Sequence, residues 1–121
     1  MSQYEKPWQA ARERIERAAR AAGRDPRGIA LLAVSKTFPA DAVRAVHALG
    51  QRAFGENYVQ EAVAKMDALG GRGAEWHLIG PLQSNKTRQV AARFDWVQSV
   101  ESEKVARRLS GQRSGSLPAL N

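Results

Sequence analysis

The sequence predicts an α/β fold of four strand–helix units around a parallel sheet. Short apolar runs alternate with amphipathic segments of about ten residues, which is typical of parallel strands joined by helical crossovers. The predicted strands are very short, and Lys36 and Thr37 follow the first of them in place of a glycine-rich phosphate-binding turn. Half of an eight-stranded barrel therefore fits the pattern better than a doubly wound sheet.

An amphipathic helix over residues 4–22 precedes these units. Trp8, Ile15 and Ala19 recur at helical spacing between charged residues, so they form one apolar face, and the helix is expected to pack on the outside of the domain. Gly23 ends it, because glycine readily adopts the left-handed conformation found after a helix.

The four units occupy residues 30–110 of a single partial-barrel domain that spans residues 1–121. Residues 111–121 are rich in Gly, Ser and Pro, so they are expected to form a loose tail. The expected strands cover 30–35, 52–55, 75–79 and 95 to 98 or 99. The first and fourth expected helices cover 39–49 and 101–109, the second begins at 57, and the third follows residue 85.

The composition argues against several classes of function. The 121 residues include no cysteine and only two histidines, so a disulfide framework and a metal site are not expected, and a cytoplasmic location is the default. No apolar run approaches the ~18–20 residues of a membrane span. The net charge is +7, but acidic residues lie among the basic ones and no aromatic series alternates with them, so nucleic acid is an unlikely partner.

Several chemically useful side chains follow the predicted strands. The loops after parallel strands meet at one end of the fold, so these side chains can form one site. Lys36 supplies a primary amine, and a lysine whose stem is buried at such a position is suited to attack a carbonyl group. The pattern fits a polar, carbonyl-bearing ligand held covalently by this lysine. The candidate residues are Lys36, Asn57, His77, Ser84 and Asn85.

Each candidate also has an ordinary structural interpretation. Lys36 alone fits a solvated lysine at a strand end, and Asn57 fits a helix N-cap. His77 fits a hydrogen-bonded core histidine. Ser84 and Asn85 fit a cap for the third helix of the units. No nucleophile-elbow sequence is present, so a serine triad is not predicted.

Three motifs together resemble the pyridoxal phosphate homeostasis proteins, which are similar to the N-terminal barrel of alanine racemase. They are AVSKT at 33–37, FGENYVQE at 54–61 and WHLIGPLQSNK at 76–86, in the order and spacing of that family. The resemblance covers nearly the whole chain. It implies a (β/α)8 TIM barrel, of which this chain is the N-terminal half, and pyridoxal 5′-phosphate held as a Schiff base on Lys36.

The resemblance also implies the role: a carrier or regulator in vitamin B6 homeostasis, with no catalytic turnover and no catalytic residues. One alternative is a pyridoxal-phosphate enzyme such as an amino-acid racemase, which needs a second base on the opposite ligand face. Tyr58 begins a predicted helix and shows no sign of such activation. A polyanion-binding module, recognisable by salt-dependent retention on heparin, is the third class.

The chain departs from the family in two respects. Phe38 stands where the family often has a second lysine, which puts any cofactor transfer through that amine in doubt. The family is also about twice as long, and its phosphate-binding loops lie near strands seven and eight, as in many barrels. These 121 residues are therefore expected to bind the cofactor weakly, and to associate with themselves or with a complementary C-terminal half-barrel.

Overall fold

The computed structural model describes residues 3–71 and 73–121, and in this part of the chain four strands alternate with helices. The helices are α1 (Glu5–Ala21), α2 (Ala40–Ala48), α3 (Val59–Leu69), α4 (Thr87–Arg93) and α5 (Glu103–Gln112). The strands are β1 (Ala33–Val34), β2 (Ala53–Glu56), β3 (Glu75–Leu78) and β4 (Trp96–Val97). Short 3-10 turns cover Pro26–Gly28 and Ser84–Lys86.

The four strands form one parallel sheet in the order β1-β2-β3-β4. Each strand pairs with the next one along the chain, whereas the strand order of a doubly wound sheet reverses at a switch point. Sequential order is the arrangement of a (β/α)8 barrel. The predicted α/β fold, half of such a barrel preceded by an amphipathic helix, is confirmed.

The hydrophobic core lies between the sheet and the helices. Alternation along the strands sends Phe54, Trp76 and Leu78 to this side, where all three are buried. The helices contribute apolar stripes that include Leu69 and Val90. The core therefore occupies the outer layer of the half-barrel.

The opposite face of the sheet is the inner face of the half-barrel. Gly55 lies on it, and a Cβ at this glycine would come within 3.1 Å of Ile79 Cδ1. Val34 and Trp96 are 49% and 38% exposed on the same face. Because four strands do not close a barrel, apolar side chains that would line a closed interior stay open to solvent.

Two predicted caps are wrong. Asn57 does not cap α3: Tyr58 occupies the N-cap position without a side-chain hydrogen bond, because the chain stays extended there (φ −120°, ψ 122°). Ser84 and Asn85 do not cap α4: they lie in a 3-10 turn, and the carbonyl of Ser84 accepts from Thr87 Oγ1 at 3.0 Å.

The segment after α5 is hydrogen-bonded and not the expected loose tail. Asn121 donates its N–H to the carbonyl of Asp95 at 3.1 Å and accepts from the N–H of Val97 at 2.8 Å. Arg113 Nε donates to the carbonyl of Pro118 at 3.0 Å, and Leu120 packs against the core. The reason is the edge of β4, whose free peptide groups bind an extended neighbour.

In the described residues, no helix is long and apolar enough to cross a membrane.

Candidate functional site

The carboxyl ends of the four strands form a common rim. Lys36 follows β1, Asn57 follows β2, Gly80 follows β3 and Ser99 follows β4. The last two are joined by a hydrogen bond from Ser99 Oγ to the Gly80 carbonyl at 2.5 Å. The rim therefore carries an amine, an amide and a hydroxyl group in neighbouring loops.

Lys36 lies in a tight turn between β1 and α2. The turn is closed by a hydrogen bond from the N–H of Phe38 to the carbonyl of Ser35 at 3.1 Å, and Thr37 adopts a left-handed conformation with φ +67°. The Lys36 side chain is exposed, so the expected burial of its stem is wrong. The lysine lies past the end of β1, at the rim.

A buried charge cluster lies directly beneath this turn. Glu56, the last residue of β2, is fully buried, and Lys65 on α3 is 4% exposed. Lys65 Nζ donates to both carboxylate oxygens of Glu56, at 2.9 and 3.1 Å, and Ser35 Oγ donates to the same carboxylate. A buried carboxylate and ammonium require this pairing, since each alone would lose its hydration without compensation.

Glu61 connects the cluster to the turn. Its Oε1 accepts from the N–H of Thr37 at 2.7 Å and from Lys65 Nζ at 2.8 Å. The hydrogen bond from Lys65 lowers the pKa of Glu61 below its ordinary value of 4.5, aided by the Thr37 N–H and opposed by partial burial. Glu61 is therefore an ionised carboxylate at neutral pH.

The sequence alone does not point to this cluster. Lys65 lies within the apolar stripe of α3, beside Met66, where a charged residue has an ordinary interpretation as a solvated side chain. Glu56 is itself the last residue of β2, after Phe54 and Gly55. The only signals in the sequence that could have indicated a buried ion pair are an acidic residue at a strand end and a basic residue within an apolar helix face.

His77 lies on the inner face of β3 and is hydrogen-bonded on both ring nitrogens. Nε2 lies 2.6 Å from Glu75 Oε1, and Nδ1 lies 2.9 Å from the amide nitrogen of Gln98. Because a carboxylate only accepts, Nε2 donates and Nδ1 accepts. The ring stacks on Trp96 at 5.3 Å between centroids. This is the geometry of a hydrogen-bonded structural histidine, and its contact with a ligand stays a prediction.

The remaining candidates lie along the loop after β3. Gly80 abuts the backbone of Asn57, where a Cβ would come within 2.6 Å of the Asn57 carbonyl oxygen. Ser84 is half-buried, and its carbonyl also accepts from Arg108 Nε at 3.2 Å, whereas Asn85 is exposed. Asn57 therefore lies at the rim itself, while the loop carries Ser84 and Asn85 towards α4 and α5. Their roles as ligand contacts stay predictions.

The fold and the rim together define the class of protein. It is an α/β half-barrel whose parallel strands follow the order of the chain, with a lysine just beyond the first strand. No family model matches the chain. The pyridoxal phosphate homeostasis protein of Pseudomonas aeruginosa is 59% identical over 108 residues, which cover 89% of this chain and 47% of that protein. The one from Escherichia coli K12 is 53% identical over 113 residues, covering 91% and 48%.

Solved structures agree with these relatives. PipY of Synechococcus elongatus with PLP bound superposes with a TM-score of 0.69 at 47% identity, covering 81% of this chain and 47% of that one. A Bifidobacterium adolescentis protein described as unknown gives 0.78 at 32% identity, covering 86% and 47%. The chain is a relative of the pyridoxal phosphate homeostasis proteins, as its motifs predict, and it spans about half the length of the curated relatives that it matches.

Proposed function

We propose that this chain binds pyridoxal 5′-phosphate covalently through Lys36 and acts in the homeostasis of that cofactor without catalytic turnover. The observation that carries the proposal is the exposed Lys36 amine in a hydrogen-bonded turn at the carboxyl end of β1. PipY, a structural neighbour at 47% identity, has PLP bound. The cytoplasmic location stays a prediction.

The chemistry of the rim fits the aldehyde end of the cofactor. When bound, the cofactor supplies an aldehyde that condenses with a primary amine and releases its oxygen as water. Lys36 provides that amine in a solvent-accessible position, and Asn57 provides an amide beside it on the next strand end. We assign Ser84 and Asn85 to polar contacts with the cofactor, and His77 to the surface beneath it.

Binding by these 121 residues alone is expected to be weak. Phosphate groups are held best by several backbone N–H groups at a helix N-terminus or a nest, with basic side chains adding to them. In related barrels such loops follow the last strands, and this chain spans about half the length of its relatives.

Labelling after reduction tests the proposal directly. The chain is incubated with pyridoxal 5′-phosphate, reduced with borohydride, weighed intact and mapped by peptide analysis. We expect one adduct at Lys36, and this adduct should be lost in Lys36→Ala. The matched control is Lys104→Ala, which removes an exposed lysine of α5 and should keep the adduct at Lys36. Scattered adducts on several lysines, unchanged in Lys36→Ala, would overturn the proposal.

Turnover as an amino-acid racemase is the alternative function. Such a reaction requires a second base opposite Lys36. Tyr58 at the start of α3 is 58% exposed and shows no sign of that role. We expect L-alanine to keep its optical activity in the presence of the chain and the cofactor. A loss of optical activity that depends on Lys36 would favour the enzyme.

We also propose that these 121 residues self-associate when no complementary C-terminal half-barrel is present. The described part of β1 pairs with β2 alone, and the inner face exposes Val34 and Trp96. An open strand edge beside exposed apolar side chains favours association. Sedimentation at micromolar concentration is expected to show dimers or larger species. A single monomeric species would contradict this.

A further inference from the structure

Two side chains of α3 bind the peptide groups on both sides of Lys36. Lys65 Nζ donates to the carbonyl of Ser35 at 2.7 Å, and Glu61 Oε1 accepts from the N–H of Thr37 at 2.7 Å. These are the two peptide bonds that flank Lys36. The backbone that carries the lysine is thus tied at both ends to one helix.

The two binding side chains are themselves fixed. Glu61 and Lys65 lie one helical turn apart and pair with each other at 2.8 Å, and Lys65 also pairs with the fully buried Glu56. Bonds between ionised groups are shorter and stronger than neutral ones, and at Lys65 burial keeps water from competing. Neither side chain can rotate away without breaking several bonds, so the turn has a rigid support.

The turn needs such support because of Thr37. Its φ of +67° is in the left-handed region, which costs an ordinary residue about 1–2 kcal/mol and is worse for a β-branched one. The bond from its N–H to Glu61 offsets this strain. Without that bond the turn is free to relax, and the direction of the Lys36 side chain changes with it.

We propose that Glu61 and Lys65 are positioning residues for the Lys36 amine: they hold the turn in the one conformation that presents this amine at the rim. The inference rests on the proposed function, in which Lys36 attacks a carbonyl ligand. Neither residue needs to touch the ligand. A buried ion pair adds little stability over apolar residues of the same size, so stability alone does not explain the charged residues here. What apolar residues could not provide is the directed hydrogen bonds to the turn.

The first test compares three variants for their rate of cofactor labelling at Lys36. Glu61→Ala removes the acceptor for the Thr37 N–H, and Glu61→Gln keeps an acceptor oxygen. Glu103→Ala is the matched control, because Glu103 is an exposed glutamate in the first turn of α5. We expect labelling to fall about tenfold in Glu61→Ala, to recover in Glu61→Gln, and to stay unchanged in Glu103→Ala, with folding verified by circular dichroism.

A second variant separates positioning from general stability. Glycine enters the left-handed region without strain, so Thr37→Gly should reduce the loss caused by Glu61→Ala when the two changes are combined. The glycine also relieves the strain of the turn and so raises overall stability. Labelling is therefore compared under conditions in which circular dichroism shows every variant to be fully folded, where a difference in overall stability does not change the labelling rate. Labelling at the unsubstituted rate in folded Glu61→Ala, or no recovery in the combined variant, would overturn the inference.

Amide hydrogen exchange provides a readout that does not depend on the cofactor. Exchange at the Thr37 N–H should speed up at least about tenfold in Glu61→Ala and stay slow in Glu103→Ala. If the unsubstituted chain shows no adduct at Lys36 but this difference in exchange appears, the proposed function fails while the support of the turn stands. Unchanged exchange in Glu61→Ala would overturn the support itself.

Discussion

Lys65→Met is expected to lower the free energy of unfolding by about 3–5 kcal/mol. Methionine has a similar length, but it leaves the fully buried carboxylate of Glu56 without its counter-charge. Of the described hydrogen-bond donors to that carboxylate, only Ser35 Oγ then remains. Because small domains are stable by only about 5–15 kcal/mol, the loss should be evident as a large drop in the urea midpoint.

Two further variants show whether the loss comes from the ion pair. Lys104→Met removes an exposed lysine of α5 and should change stability by less than about 0.5 kcal/mol. Adding Glu56→Gln to Lys65→Met removes the uncompensated charge, so the double variant should be more stable than Lys65→Met alone. Purely additive losses would contradict the assignment of a coupled pair.

Phe94→Ala is expected to lower the free energy of unfolding by about 3–5 kcal/mol as well. Phe94 follows α4, is fully buried and belongs to the central cluster of the core. Its carbonyl accepts from Arg113 Nη1 at 2.6 Å, which holds the backbone in place, so the surroundings cannot collapse freely into the cavity. Urea unfolding followed by circular dichroism measures the effect.

Phe38→Ala is the matched control for this loss. Phe38 is 48% exposed and makes an edge contact with Tyr4 at 6.3 Å between ring centroids. Removing a half-exposed ring and one aromatic pair should cost less than about 2 kcal/mol. Equal losses in Phe94→Ala and Phe38→Ala would show that Phe94 does not anchor the core.

The elements that can be predicted from the sequence are those with a local cause. Helix α3 is one example: apolar side chains recur along it at helical spacing, and Gly70, which follows it, has a left-handed conformation with φ +69°. The first strand is less predictable: the predicted strand covers 30–35, but only Ala33–Val34 form the ladder with β2. Apolar character comes from the chain itself, whereas strand length depends on the partner strand.

The incorrect predictions share a physical reason. Asn57 is chemically suited to cap α3, but the chain remains extended through Tyr58 as it leaves the rim. Residues 111–121 have the composition of a loose tail, but Asn121 binds the edge of β4. In both places the backbone conformation that the whole fold imposes overrode the local propensity.

The sequence by itself determined the order of the elements, their apolar faces and the place of Lys36 at the end of the first strand, because each of these depends on residues within a few positions. Only the tertiary structure decided that Lys36 is exposed and that Glu56 and Lys65 are buried beneath it. Lys65 reaches the Ser35 carbonyl across 30 residues of sequence. A charged residue is buried only where folding brings enough partners to replace its water, and spacing along the chain does not reveal those partners.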